Sequence, residues 1–101
     1  MATTVKALAR TAASTTTTTT LYTVPASTTA VVTNIVVTNT SSSLQSYTLA
    51  LDGVSMATGV SIAATDSIVI DLKQVLGATK TITGGASATS VNFHISGVEI
   101  A

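Results

Sequence analysis

The chain has 101 residues, only eight of them formally charged and four of each sign, with one histidine, no cysteine and no tryptophan. A chain of this length makes one domain with room for its own core. Disulfides and cysteine-based zinc centres are excluded, and zero net charge removes the footprint on which nucleic-acid binding relies.

The first fourteen residues, basic and rich in threonine and alanine, predict an N-terminal arm or first strand rather than a transit peptide. Residues 15–101 predict a single all-β domain. In the threonine run Thr15–Thr20, the later part leads into Leu21-Tyr22-Thr23-Val24 as a strand that Pro25 ends. Thr28 to Asn39 is β-branched throughout. Simple alternation puts Ala30, Val32, Asn34, Val36 and Thr38 on one face and Val31, Thr33, Ile35, Val37 and Asn39 on the other. Neither face is purely polar, so both sides of this strand are expected to be covered, the second by the fold or by a neighbouring subunit.

Asn39-Thr40-Ser41-Ser42-Ser43 predicts a polar turn that also matches the Asn-x-Ser glycosylation pattern. Tyr47 to Leu51 and Val54 to Ala57 alternate about Asp52-Gly53, which predicts a two-residue hairpin with Tyr47, Leu49 and Leu51 facing the core. Gly59 and Ala63 to Asp66 read as breaks, and Ser67 to Ile70 as a strand. Asp71 to Gly77 predicts one helical turn, capped by Asp71 and closed by Gly77 in the left-handed conformation. Lys80 to Thr83 predicts a strand ended by Gly84-Gly85. Ser90 to Ile100 predicts a final strand with Val91, Phe93 and Ile95 inward and Asn92, His94 and Ser96 outward. Short strands and turns at this spacing indicate an antiparallel β-sandwich of jelly-roll, Greek-key or immunoglobulin-like topology.

The core must be assembled mainly from Val, Ile, Leu and Ala, because Tyr22, Tyr47 and Phe93 are the only aromatics. A modest core, few charges and positive mean hydropathy predict a homo-oligomer or a part of a larger assembly. Lys6, Arg10, Lys73 and Lys80 are scattered without interleaved aromatics, so no nucleic acid is expected. No apolar run approaches the roughly 18 residues of a membrane-spanning helix, and the N-terminus lacks the apolar stretch of a signal peptide. A protein folded in a cytoplasm, without membrane contact, is the expectation.

Chemistry is sparse. His94 is the sole candidate general base and sits on the outward face of a strand. Asp52 serves a turn and Asp71 the expected cap, leaving Asp66 and Glu99 far apart in sequence, which makes no acid–base pair. The serines lack a nucleophile elbow, and Gly84-Gly85-Ala86-Ser87 lacks the strand-to-helix setting of a phosphate loop. The expectation is no enzyme, no catalytic residue, no cofactor and no metal.

The stretch Leu21 to Thr40, with Leu-Tyr-Thr-Val-Pro and Ile-Val-Val-Thr-Asn-Thr, resembles small structural proteins of tailed bacteriophage virions, as do Thr48 to Gly53 and Ser90 to Ile100. The resemblance covers most of the chain from Leu21 onward and implies a β-rich virion protein, assembled in the host cytoplasm, that binds other subunits and catalyses nothing. Capsid decoration (cement) proteins of this kind act as trimers over junctions of the major capsid protein. A tail, baseplate, connector or fibre component would carry the same resemblance, and a carbohydrate-binding β-sandwich ranks third because no tryptophan is available to stack on sugars. In the decoration reading the arm is a clamp. Lys6 and Arg10 would pair with acidic coat residues while Val5 and Leu8 fill apolar notches, and deletion through Ser14 would abolish attachment without unfolding the domain.

Overall fold

The computed structural model describes residues 2–101, which hold eight strands and no helix. These are β1 (Thr3–Ala12), β2 (Thr20–Thr23), β3 (Thr29–Asn39), β4 (Gln45–Leu51), β5 (Val54–Ile62), β6 (Ser67–Leu76), β7 (Thr81–Ala86) and β8 (Val91–Ile100). Antiparallel ladders join β4 to β5, β3 to β6, β2 to β7 and β1 to β8. The chain is thus one long hairpin rolled about the β4–β5 turn, its successive pairs falling in alternate sheets. Sheet A has the order β1-β8-β3-β6 and sheet B the order β2-β7-β4-β5, the connectivity of a jelly roll. The predicted antiparallel β-sandwich is the fold observed.

The roll starts where the sequence places it. Asp52 (φ 54°) and Gly53 (φ 74°) are both left-handed, and Leu51 pairs with Val54, as a two-residue type I′ turn requires. Between the sheets lie Val32, Ile35 and Val37 of β3, Phe93 and Ile95 of β8, Leu49 of β4 and Ile82 of β7, all fully buried. Tyr47 of sheet B meets Phe93 of sheet A edge to face, with centroids 6.5 Å apart. Val91, Phe93 and Ile95 point inward as expected, and His94 outward.

Four local expectations fail, each because pairing between distant segments overrides a local signal. In β3 a bulge at Thr33 shifts the register between Val32 and Asn34, so Ala30, Val32, Ile35, Val37 and Asn39 share the inner face while Val31, Asn34, Val36 and Thr38 point outward. Asp71 to Leu76 is not a helical turn: it continues β6, where Ile70 and Leu72 alternate toward the core and Asp71 pairs with Asn34. Gly59 does not end β5. It sits in a bulge, φ 57°, opposite Thr48, whose hydroxyl oxygen accepts from its N–H at 3.1 Å. Gly84-Gly85 lies inside β7, because the carbonyl oxygens of Thr48, Ser14 and Thr16 approach within 2.6 Å of where a Cβ would stand.

Candidate interaction surfaces

Met1 of the expected arm lies outside the described residues; Thr3 to Ala12 form an edge strand, paired with β8 along its length. The four arm residues therefore separate by face. Leu8, the extra residue of a bulge between Ala7 and Ala9, is 8 % exposed and packs in the chain's own core. Lys6 reaches Glu99 at 3.3 Å. Val5 is 82 % exposed on the outer face, and Arg10 is exposed beside its cross-strand partner His94. The structure thus leaves Val5 and Arg10 facing outward, and uses Leu8 and Lys6 internally.

Glu99 is the most constrained ionisable group. It lies where sheets A and B open between β1 and β2, its side chain 14 % exposed, accepting hydrogen bonds from the Tyr22 hydroxyl and from Lys6 Nζ. The Tyr22 hydrogen bond, reinforced by the Lys6 hydrogen bond and charge, outweighs burial and holds the carboxyl below its ordinary value. Burial, then the hydrogen bond to Glu99 and its charge, push the Tyr22 phenol up. Because the fold favours ionised Glu99, its contribution to stability is full above the unfolded-state pKa and disappears as pH falls through the folded-state value. Tyr22→Phe removes the main cause of the depression, so it is expected to lower the melting temperature at neutral pH and to flatten its fall toward acid, the variant and parent curves converging below the folded-state pKa. Superimposable curves would show that the Tyr22 hydroxyl does not stabilise the carboxylate.

Asn39 carries the glycosylation pattern, yet its side chain is fully buried. Its amide Nδ2 donates to the carbonyl oxygens of Ser43 (2.8 Å), Ile62 (3.2 Å) and Ala63 (3.2 Å), and its Oδ1 accepts from Ser41 N–H at 3.0 Å and Ser41 Oγ–H at 2.8 Å. The residue is a clasp that holds the β3–β4 loop to the end of β5. A buried group left unpaired costs about 1–3 kcal/mol, so Asn39→Ala is expected to lower stability by about 3 kcal/mol. Urea unfolding would show this as a lower midpoint with an unchanged slope.

Among the described residues no three of His, Cys, Asp and Glu cluster as metal ligands. His94 lines a shallow depression on the outer face of sheet A with Arg10, Asn34, Val36, Thr38 and Ser96, with no carboxylate among them. At the opposite edge of the sandwich a groove between β5 and β6 is lined by Leu51, Val54, Met56 and Leu72, with Ser55 and Gln74.

The feature that sequence reasoning missed is a row of four valines. Val5 pairs with Val98, Val98 with Val31 and Val31 with Val75, which carries one apolar line across all four strands of sheet A on its outer face. Val5 (82 %) and Val75 (67 %) are exposed at the two ends, and Val98 and Val31 are half-buried between them. No spacing in the sequence foretells this row, because each valine comes from a different strand and the register depends on the Thr33 bulge.

No family model matches the sequence, and no curated protein matches it. Among solved structures, the chain is similar to a pentameric capsid protein isolated from metagenomic phage sequences, with 17 % identity and a TM-score of 0.37. The match covers 96 % of this chain and 59 % of that one, so the chain spans about three fifths of that protein's length.

Proposed function

We propose that this chain is a non-enzymatic structural protein of a bacteriophage virion, a decoration or cement protein that binds the coat lattice as a homo-oligomer. The observation that carries the reading is the outer face of sheet A, where the four-valine row is left open by the chain's own fold. An apolar row that ends in two largely exposed valines supports a surface covered by other protein. Of the stretches that resemble phage virion proteins, two contain the inner strands of that sheet, β3 (Thr29–Asn39) and β8 (Val91–Ile100). A sugar-binding role lacks a platform, since Phe93 and Tyr47 are buried and Tyr22 is held by Glu99.

The test is the copy number of this protein in purified particles, measured by quantitative mass spectrometry against the major coat subunit. A number comparable with the coat subunit is expected. A few rings' worth would reassign the protein to the tail or connector, and absence from the particle would overturn the virion reading.

A further inference from the structure

We propose that the outer face of sheet A pairs with the same face of a second copy, about a two-fold axis parallel to the strands. Such an axis reverses strand order across the contact while keeping each transverse row opposite itself. β1 then lies over the second copy's β6, and β8 over its β3. Val5 meets Val75 of the second copy, so the two most exposed valines of the row cover each other and the whole row closes on itself.

Charge agrees with the same operation. Arg10 stands at the β1 edge in the row of His94 and Val36, and Asp71 at the β6 edge in the adjacent row of Ser96 and Asn34. After the rotation Arg10 lies over the second copy's Val69 and one row, about 7 Å along the strand, from its Asp71; with stacked sheets about 10 Å apart, the long arginine side chain spans that offset. Symmetry makes the ion pair twice. In Asp71's own row Ser96 faces the second copy's Asn34, a donor and acceptor pair. Lys73, also exposed, lies on the valine side of Asp71 and away from Arg10, while Lys6 is turned to Glu99.

The dimensions suffice for a stable pair. Four strands of about ten residues make a face of about 19 by 34 Å, so two copies bury about 1,300 Å² between them, against the 1,200–2,000 Å² of stable interfaces. Edge-to-edge pairing is the less favourable use of sheet A, since β1 is bulged at Leu8 and β6 shifts register near Leu72 and Lys73. The contact rests on the same valine row and specifies the homo-oligomer of the proposed function; sedimentation tests the pairing and the particle count tests the virion reading.

Sedimentation equilibrium of the full chain decides the matter. The expected mass is twice the chain mass of 10.1 kDa. Val75→Lys should give a monomer with an unchanged far-ultraviolet spectrum, because a lysine is readily accommodated at an exposed edge position. Arg10→Asp and Asp71→Arg should each weaken association by about tenfold or more, and the double reversal should restore it. A wild-type monomer, the mass of a trimer, association that survives Val75→Lys, or a double reversal no tighter than either single one would overturn the pairing.

Discussion

Deleting the chain through Ser14 is expected to abolish cooperative folding rather than merely detach an appendage. β1 is sheet A's edge strand, tied at one end by mutual backbone hydrogen bonds between Ala2 and Ala101 and at the other by Ala13 N–H donating to Val91 O at 2.7 Å. Without it the fold loses Leu8, whose burial is worth about 1.5–3 kcal/mol, and the Lys6 contact that helps hold Glu99. It also loses the Ser14 carbonyl that accepts from Ala86 N–H, and β8 becomes an unpaired edge. Domains of this size hold about 5–15 kcal/mol in all, so losing a strand of this length leaves little or nothing. Circular dichroism should show no sigmoidal melt, and gel filtration should show aggregation. A truncated chain that melts within a few degrees of the parent would show that β1 contributes no stability, and would revive the expectation of an arm that serves attachment alone.

What could be read from the sequence was whatever is decided over short distances. Asp52-Gly53 demands left-handed backbone and alternating neighbours, and the roll turns there. The Val91, Phe93, Ile95 alternation needs only a period of two, and β8 keeps it. Asp71 to Gly77 misled for the same reason in reverse: a cap residue and a glycine at helical spacing are local signals, and the β6 ladder with β3 outweighs them. Likewise, one bulge at Thr33 was enough to exchange the faces of Val36 and Ile35, because a strand's side chains invert with each extra residue. Of the four candidate arm residues, Lys6 and Leu8 found partners from β8, about ninety positions away in sequence. The valine row and the Glu99 cluster are wholly products of register, and alternation within single strands has no means of showing them.

Phe93→Ala is expected to bring the domain to the edge of unfolding. Phe93 is the largest fully buried side chain, set on β8 between partners on β1 and β3 and reaching across the sandwich to Tyr47. Truncations of this kind cost about 3–5 kcal/mol, with the edge-to-face contact adding about 0.5–1.5 kcal/mol. The surrounding residues are poorly suited to closing the hole: Val37, Val91, Ile35 and Ile95 are β-branched, buried and confined to few rotamers by the sheet. With three aromatics in the chain, no second ring can take over the contact. Chemical denaturation should therefore show a midpoint lowered by most of the parent's stability, whereas Phe93→Leu, which retains more volume, should lose roughly half as much. The contact between the sheets is separable from the cavity by a double-mutant cycle with Tyr47→Leu: a coupling near zero would show that Phe93 acts by volume alone, and a coupling of about 1 kcal/mol would assign the remainder to the ring pair.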